Sequence, residues 1–320
     1  MHSSNEWSQL KEVIVGNATN AKMPAIDKSV RTVNYADTNN VSQDTPIAYP
    51  QQVIDEANED LKILSDFLQS EGVIVQRPDT TDCEYYNYCP RDSVLVHNDT
   101  SYATPMPIRC RQTEFKAFEQ HLQNLHVIPT YQKDNLYNTE CIGNPEILAL
   151  TEVAPSFDAA NILRANNEIL YLVSNSGNRQ GARLLQELLG NNVNVRLLEN
   201  VYSYMHIDST VAFLKEGLLL ANPERIKTAG DLPKPFCDWE IIWAPEPTDI
   251  GCYPEICNAS RWINMNLLSV NENLVVLEEH QHNLRHILKQ KGIDCAMLPM
   301  RHQRTLGGGF HCVTLDTERT

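Results

Sequence analysis

The sequence predicts an α/β protein in which five ββαβ units close into a propeller-like ring. Three observations support this fold class. A helix, turn and strand unit recurs along the chain, its copies follow at intervals of about 50 to 65 residues, and apolar hairpins lie between them. Five such units are better closed radially than stacked in a line, because a ring brings both termini into one structure.

Four copies of the unit combine an amphipathic helix, a polar turn and an apolar strand. Apolar side chains recur at helical spacing in each helix, and glycine, asparagine or other polar residues lead into the strands. The predicted helices and their strands are 59–68 with 73–76, 115–122 with 127–129, 182–189 with 193–197, and 284–290 with 293–298.

A fifth strand and three sets of hairpin strands complete the predicted ring. The one long gap between copies has room for a strand at Trp239–Trp243. No low-complexity linker interrupts the chain, so residues 1–320 are predicted to form a single domain. The other predicted strands are 169–173, 211–214 with 218–220, and 267–270 with 274–277.

Two segments do not fit the repeat. Residues 22–48 are polar and poorly periodic, and residues 232–254 are rich in proline. We expect both to be long loops, of which the first is lid-like and the second surrounds one strand.

The charge balance restricts the partners of the protein. The chain has 26 Lys and Arg residues against 41 Asp and Glu residues, a net charge of −15. Nucleic acids and anionic membranes are therefore not expected as partners, because phosphate contacts need clustered basic side chains. A cationic small molecule suits an acidic protein better. The N-terminus shows no targeting segment and no apolar run approaches ~18 residues, so we expect a cytoplasmic protein.

The cysteines do not indicate a metal site. The chain has nine of them, scattered and without a CxxC pair, which is typical of reduced thiols. The segment Glu278–His282, with His286 after it, leads into a predicted helix and is interpreted as its solvated face. Neither a metal nor an organic cofactor is expected.

One cysteine has an unusual context. Cys312 ends the segment Leu306-Gly307-Gly308-Gly309-Phe310-His311-Cys312. Glycine loses more conformational entropy on folding than other residues do. A run of glycines is therefore kept where side chains would block the approach of another group or where φ is positive. Cys312 is therefore a candidate nucleophile, and the alternative is a glycine turn followed by a buried structural cysteine.

A nucleophilic thiol needs an acid/base partner, which the sequence offers in Met205-His206-Ile207-Asp208. In a short strand His206 and Asp208 share one face, which places a carboxylate beside an imidazole. His311 is a poor partner for Cys312 if that segment is extended, because neighbouring strand residues point to opposite faces. Each of these residues alone could equally be a half-exposed polar residue of a strand.

Three further polar positions lie at predicted turns. Asp158 follows Pro155-Ser156, Asp92 precedes an apolar run, and Arg225 follows the strand at 218–220. A helix cap, a turn or a solvent-facing side chain would explain each of them. Together they place carboxylates and an arginine where ring-shaped folds carry their sites.

These segments, in this order, resemble the glycine amidinotransferase family of the guanidino-group-modifying superfamily. The resemblance covers the whole chain, and the most specific segments are Met205 to Asp208 and Leu306 to Cys312. The matching pieces are Asn5-Glu6-Trp7, Glu12 to Gly16, Arg77-Pro78-Asp79, Pro90-Arg91-Asp92, Phe157 to Ala160, Met205 to Asp208, Asn222-Pro223 with Arg225, and Leu306 to Cys312.

The resemblance implies a five-bladed α/β propeller with its site in the central channel. It also implies transfer of the amidino group of L-arginine to an acceptor amine, with release of L-ornithine. Cys312 would be the nucleophile that carries a covalent amidino group, His206 the general acid/base, and Asp158 the residue that orients His206. The course would be ping-pong and would need no metal or organic cofactor.

The resemblance implies the substrate contacts as well. Asp92 and Asp208 would hold the planar guanidinium, whose N–H groups suit carboxylates. Arg225 and Ser260 would bind the α-carboxylate of the donor. Met205, which opens the Met-His-Ile-Asp segment, is also predicted to bind substrate.

Two departures from the family pattern leave the acceptor open. Asn161 stands where the family commonly has an acidic residue, and Ser203 stands where glycine-using members have an amide side chain. Both are predicted to bind substrate. The acceptor is therefore glycine or a larger amine of natural-product biosynthesis.

Two other functions remain as alternatives. A hydrolase of the same superfamily, an arginine deiminase or dihydrolase, would use water in place of the acceptor amine. A non-catalytic propeller that binds a ligand would have no need of a thiol beside an acid/base pair. The sequence is compatible with a homodimer.

Overall fold

The structure is a computed structural model that describes residues 1–36, 43–80, 82–201, 204–254 and 256–320. The α-helices of these residues are α1 Lys28–Val33, α2 Gln51–Ser70, α3 Pro90–Ser93, α4 Arg179–Leu189, α5 His282–Gln290 and α6 Gln303–Leu306. The strands are β1 Leu10–Val15, β2 Lys22–Met23, β3 Ile47–Ala48, β4 Ile74–Gln76, β5 Val94–His97, β6 Thr100–Ala103, β7 Leu125–Val127, β8 Ile162–Ala165, β9 Glu168–Leu172, β10 Asn194–Leu198, β11 Val211–Lys215, β12 Leu218–Ala221, β13 Glu240–Trp243, β14 Leu268–Asn271, β15 Leu274–Glu278, β16 Asp294–Leu298 and β17 Thr314–Arg319.

Five three-stranded sheets of the described residues share one topology. We name them sheet A (β17-β1-β4), sheet B (β5-β6-β7), sheet C (β8-β9-β10), sheet D (β11-β12-β13) and sheet E (β14-β15-β16). In each sheet the first two strands pair antiparallel and the third pairs parallel with the middle one. Sheet A joins the first long strand of the chain to the last one.

The sheets form a closed ring because each shares an apolar cluster with both of its neighbours. The predicted five-bladed α/β propeller is therefore confirmed. Representative residues of the shared clusters are Ile14 with Val96 for sheets A and B, Leu95 with Ile169 for B and C, Leu170 with Phe213 for C and D, Leu214 with Val275 for D and E, and Leu268 with Val13 for E and A.

Helix α2 illustrates how the sequence specifies the long helices. Its buried residues, among them Val53, Ala57, Leu61 and Leu64, recur every three or four positions. They pack on sheet A and form one apolar cluster with it. The predicted helix at 59–68 lies inside α2, and the predicted helices at 182–189 and 284–290 lie inside α4 and α5.

The predicted helix at 115–122 is wrong. These residues form two short 3₁₀ turns, Glu114–Ala117 and Glu119–His121. Phe115 and Phe118 are both buried in the cluster between sheets A and B, and the amide of Phe118 donates to the carbonyl of Phe115 at 3.0 Å. Apolar anchors three residues apart suit a 3₁₀ turn as well as one face of an α-helix.

The loop prediction for residues 22–48 is wrong in part. Strands β2 and β3 pair antiparallel, and α1 lies between them. Helix α1 begins after Asp27, whose carboxylate accepts a hydrogen bond from the amide of Val30. Residues 232–254 match their prediction better, since β13 is the strand that they surround. No helix of the described residues is long and apolar enough to cross a membrane.

A cluster of buried ions connects sheets A, B and C. We call the group Glu6, Arg91, Arg164, Asp316 and Arg319 the buried ion cluster. Arg164 donates to Glu6 at 2.8 Å and to Asp316 at 2.6 Å, and Arg319 donates to Asp316 at 2.7 Å. Arg91 pairs with both carboxylates. The candidate active site lies next to this cluster.

Candidate active site

Glycine is needed at the three positions 307 to 309 for different structural reasons. Gly307 ends α6 with φ of +82°, a left-handed conformation that favours glycine. A Cβ atom on Gly308 would lie 2.4 Å from Sγ of Cys89, and one on Gly309 would lie 2.8 Å from Cβ of Asn266. The last two glycines therefore let the backbone pass close to two buried side chains.

Cys312 lies in the turn that these glycines lead into, just before β17. The amide of Val313 donates to the carbonyl of Gly309 at 3.0 Å, which closes the turn. The assumption of an extended segment is therefore wrong. His311 nevertheless does not pair with the thiol: its Nδ1 lies 3.2 Å from Asp208 and its Nε2 lies 3.3 Å from Glu6.

The thiol of Cys312 is buried and lies against several polar groups. Its Sγ lies 2.9 Å from Oδ2 of Asp208 and 3.0 Å from Nδ2 of Asn266. A hydrogen bond with Cys89, burial and the charge of Asp208 raise the pKa of the Cys312 thiol well above its ordinary value. These interactions disfavour the thiolate as long as no cation lies beside it.

Asn266 fixes both the backbone and the sulfur of Cys312. Its Oδ1 accepts the amide hydrogens of His311 at 2.8 Å and of Cys312 at 3.0 Å. Because two N–H donors face this oxygen, the side-chain amide nitrogen must be the atom that faces Sγ. Asn266 is thus placed to donate a hydrogen bond to a thiolate.

His206 is held by a carboxylate on the other side of the cavity. Its Nε2 lies 3.0 Å from Oδ2 of Asp158, and its Nδ1 lies 3.9 Å from Oδ1 of Asp92. Burial opposes the charged imidazole, but Asp92, Asp158 and a hydrogen bond with Cys312 together raise the pKa of His206 well above its ordinary value. A protonated His206 can give a proton to a leaving group.

The predicted strand around His206 is wrong. Residues 205–210 form bends and turns, β11 begins only at Val211, and His206 has φ of +59°. A residue other than glycine with positive φ is uncommon, although histidine is enriched among such residues, and these conformations cluster at functional sites. The turn brings His206 and Asp208 to the same thiol, as the strand had been expected to do.

Asp92 has one oxygen that the protein does not satisfy. Its Oδ2 pairs with Arg111 at 3.0 Å, whereas its Oδ1 is buried and lacks a hydrogen-bond partner. Arg111 is shared, since Glu114 grips it with two hydrogen bonds of 2.9 and 2.8 Å. Burial raises the pKa of Asp92 despite the nearby His206 and Arg111.

Asp208 is held as a carboxylate. Burial raises its pKa, but the hydrogen bond and charge of His311 outweigh burial and lower it to about 2. Three carboxylates, Asp92, Asp158 and Asp208, therefore surround His206 and the thiol.

A cavity of about 550 Å³ opens onto this group. Cys312, His206 and Asp208 line one part of it, and Met205, Arg225 and Ser260 line others. Arg225 donates to the hydroxyl of Ser209 at 2.8 Å and lies 3.4 Å from the hydroxyl of Ser260. A cation with a carboxylate at its far end matches this distribution of charge.

Two predicted substrate contacts, Asp92 and Asn161, are buried and are not among the described residues that line the cavity. The side chain of Asn161 is bonded within the protein. Its amide nitrogen donates to the carbonyls of Asp158 and Ser176, and its oxygen accepts from the hydroxyl of Ser174. An amide suits this neutral network, so Asn161 supports the backbone of Asp158 rather than facing a ligand. Ser203 lies outside the described residues.

Four residues of the site were missed by the sequence-based prediction: Asn266, Arg111, Cys89 and Tyr86. Asn266 and Cys89 contact Cys312, and Arg111 contacts Asp92. The ring of Tyr86 lies 5.0 Å from the guanidinium carbon of Arg111 and lines the cavity. No spacing in the sequence connects these residues to Cys312, because they come from three other parts of the chain: residues 86–89, Arg111 and Asn266.

One group of potential metal ligands is present in the described residues. The ligand atoms of Cys89, Asp92 and Cys312 lie within 4.8 Å of one another, and all three residues are buried. Asp92 is also engaged by Arg111.

Comparison with known proteins adds family relationships to this geometry. No family model matches the sequence. Inosamine-phosphate amidinotransferase 1 of Streptomyces glaucescens is 38% identical over 99% of this chain and 96% of that protein. L-arginine:L-lysine amidinotransferase of Pseudomonas savastanoi pv. phaseolicola is 30% identical over 99% of this chain and 94% of that protein. The solved inosamine-phosphate amidinotransferase of Streptomyces griseus superposes with a TM-score of 0.94 at 38% identity, over 100% of this chain and 97% of that one.

Proposed function

The chain belongs to the amidinotransferase family, and we propose that it moves the amidino group of L-arginine through a covalent adduct on Cys312 to an acceptor amine, releasing L-ornithine. The observation that carries this proposal is the excess of buried carboxylate beside the thiol. Asp92 and Asp158 lie beside the imidazole of His206, Asp208 lies beside the thiol, and Oδ1 of Asp92 and Oδ1 of Asp158 lack hydrogen-bond partners. A planar cation with several N–H donors matches that environment.

In the first half of the reaction the guanidinium lies between Asp92 and Asp208, with its central carbon over Sγ of Cys312. Before the substrate binds, the charge of Asp208 helps to raise the pKa of the Cys312 thiol. The positive charge of the bound guanidinium offsets this effect. Cys312 gives its proton to His206, with which it shares a hydrogen bond, and the resulting thiolate attacks the guanidinium carbon, so that a C–S bond forms. His206, kept protonated by Asp92 and Asp158, then gives its proton to the amine of ornithine as the C–N bond breaks.

In the second half the acceptor amine enters the vacated part of the cavity. It gives a proton to His206, attacks the amidino carbon and takes the group as the C–S bond breaks. Asp158 holds Nε2 of His206 at 3.0 Å in both halves and thereby acts through His206 rather than on the substrate. Asn266 donates to the sulfur whenever it is a thiolate.

The donor's other end is proposed to bind at Arg225 and Ser260. Both line the cavity on which Cys312 opens. The Arg225 guanidinium and the Ser260 hydroxyl are a suitable pair of donors for an α-carboxylate. Met205 lines the same cavity and contributes apolar surface beside the substrate chain.

We propose a larger amine than glycine as the acceptor. The cavity of about 550 Å³ exceeds what an amino acid as small as glycine needs. Two relatives of 38 to 39% identity are inosamine-phosphate amidinotransferases, whereas a glycine amidinotransferase of Xenopus laevis is 29% identical. An amino-cyclitol phosphate is therefore the first acceptor to test, followed by lysine and glycine.

We also propose that residues 1–320 act as one domain. Strands β1 and β17, from the two ends of the chain, pair with each other in sheet A. Cys312 lies two residues before the start of β17, so the catalytic segment depends on the closure of the ring.

Product analysis tests the proposal. The enzyme is incubated with L-arginine and each acceptor, and amino acids and guanidino compounds are quantified by mass spectrometry. Ornithine formed together with one equivalent of a new guanidino compound supports transfer. Citrulline or free ammonia in place of these products would identify a hydrolase, and no turnover with any acceptor would favour a binding protein. Cys312→Ser and His206→Asn are expected to abolish product, and full activity of either would reassign its role.

A further inference from the structure

We propose that Cys89 and Cys312 form a disulfide bond when a hydroperoxide oxidises the protein, a reversible modification that blocks the nucleophile. This inference goes beyond the transfer reaction. It concerns a second thiol that the reaction does not use. It rests on the placement of three neighbouring groups, Cys89, Cys312 and Gly308.

The two thiols are close and no side chain separates them. The Sγ atoms of Cys89 and Cys312 lie within 4.8 Å of each other. A Cβ atom added to Gly308 would lie 2.4 Å from Sγ of Cys89 and 3.1 Å from Cβ of Cys312, so this glycine keeps the space between them open. A disulfide needs an S–S distance of about 2.05 Å, so the two sulfur atoms must approach each other when the bond forms.

The surroundings also restrict which partner Cys312 can find. Both thiols are buried in the same cluster, and Cys89 immediately precedes α3, which carries Asp92. Their hydrogen bond already contributes to the raised pKa of Cys312. Among the thiols that the structure describes, Cys252 and Cys257 also interact, but both are exposed.

The oxidant reaches Cys312 first, because Cys312 lines the cavity and Cys89 does not. The thiolate fraction of Cys312 attacks one oxygen of the hydroperoxide, the O–O bond breaks, and a sulfenic acid and an alcohol or water result. The sulfur of Cys89 then attacks the sulfenic sulfur, the S–O bond breaks, and water leaves with the proton of Cys89. Two thiols are thus oxidised by one hydroperoxide, and a dithiol reductant reverses the change.

The physical consequence is protection of the nucleophile. A sulfenic acid without a neighbouring thiol proceeds to sulfinic and sulfonic acids, which dithiols do not reduce. With Cys89 adjacent, oxidation stops at the disulfide. The enzyme should therefore lose activity on oxidation and regain it on reduction.

The experiment treats the full-length protein with hydrogen peroxide in the presence of a metal chelator, which prevents metal binding by Cys89, Asp92 and Cys312. Non-reducing peptide mapping then locates disulfides, and activity is measured before and after dithiothreitol. We expect a Cys89–Cys312 peptide, a loss of about tenfold in activity, and recovery on reduction. In Cys89→Ala we expect loss without recovery and sulfinic acid on Cys312. Cys252→Ser is the control, and it should behave as the wild type does.

Two results would overturn the inference. One is a peptide map in which Cys312 is oxidised while Cys89 remains a free thiol. The other is equal recovery of wild type and Cys89→Ala. Should the variant fail to fold, the wild-type map alone decides. The map requires no turnover, so a mapped disulfide in a protein without amidinotransfer would contradict only the proposed function.

Discussion

The buried ion cluster and the candidate active site meet at His311, whose Nε2 faces Glu6 of the first and whose Nδ1 faces Asp208 of the second. Both regions are buried and charged. In the ion cluster both carboxylates are gripped by arginines: Arg164 donates to Glu6 at 2.8 and 3.0 Å and to Asp316 at 2.6 Å. In the site, one oxygen each of Asp92 and Asp158 has no hydrogen-bond partner.

The pKa shifts of the two regions differ in the same way. Burial opposes ionisation of Glu6 and Asp316, but the nearby arginines, Arg164 above all, lower both pKa values well below the ordinary range. Burial raises the pKa of Asp92 in the site, and contact with Cys89 together with burial and Asp208 raises that of Cys312. The ion cluster is complete without a ligand, whereas the site gains a favourable interaction only when a cation binds.

The largest effect is expected from breaking the ion cluster. Arg164→Met leaves the carboxylates of Glu6 and Asp316 without their main partner and should reduce the free energy of unfolding by about 3–5 kcal/mol. Urea denaturation at pH 7 measures this loss. Arg196→Met is the control, since the Arg196 side chain is 40% exposed and pairs with Glu168, and it should cost about 1 kcal/mol or less.

The buried ion cluster should also make the stability of the wild type depend on pH, and Arg164→Met should weaken this dependence. Because the folded pKa values of Glu6 and Asp316 are lowered, their contribution is present above the ordinary values of 4.5 and 3.8 and is lost as pH falls through the lowered ones. The stability of the wild type should therefore fall more steeply in acid than that of Arg164→Met. Parallel curves for the two proteins would show that the cluster contributes no such linkage.

Asp92→Asn should have the opposite effect: it should reduce activity without reducing stability. It removes a carboxylate that binds the guanidinium, so kcat/KM for L-arginine should fall about 10³-fold. The free energy of unfolding should be unchanged or higher at pH 8, because burial disfavours the ionised form of Asp92. Asp294→Asn, at an 80% exposed side chain, is the control for both measurements. A loss of stability as large as that of Arg164→Met would place Asp92 with the structural ions.

A smaller effect is expected from Asn266→Asp. The new carboxylate can still accept the amides of His311 and Cys312, but the atom that faces Sγ changes from a donor to an acceptor. Turnover should fall about 10²-fold, and the thiol pKa should rise further. The pH dependence of iodoacetamide alkylation at Cys312 reports that pKa.

Asn264→Asp is the matched control for this experiment, because Asn264 is a buried neighbour without a contact to the thiol. A purely structural Asn266 would leave the alkylation profile of Asn266→Asp equal to that of the wild type. A role at the sulfur requires the profile to move to higher pH in this variant alone.

Much of the ring could be predicted from the sequence. Helical periodicity such as that of Val53, Ala57 and Leu61 and the recurrence of the unit predicted at least one strand of each of the five sheets, because these patterns record which faces are buried. The failure at 115–122 arises from Phe115 and Phe118, whose spacing suits both a helix and a 3₁₀ turn. Local spacing does not distinguish the two without the surface on which the rings pack.

Only part of the candidate active site could be predicted from the sequence. Cys312 was found through its glycines, and His206 and Asp208 through one short segment and the family resemblance. Asn266, Arg111 and Cys89 act through contacts across the ring, and nothing in their local sequence indicates these contacts. Asn161 and Asp92 do not line the cavity, and a position in a sequence pattern does not reveal whether a side chain faces a cavity or the protein interior.

The covalent adduct is the most direct test of the central claim that the site is completed by a guanidinium over Cys312. The protein is incubated with L-arginine and no acceptor, quenched in acid, and examined by intact-mass and peptide mass spectrometry. We predict an amidino group on the Cys312 peptide and one equivalent of ornithine, and neither in Cys312→Ser. An unmodified Cys312 in folded protein saturated with arginine, or an adduct on another cysteine, would contradict the account.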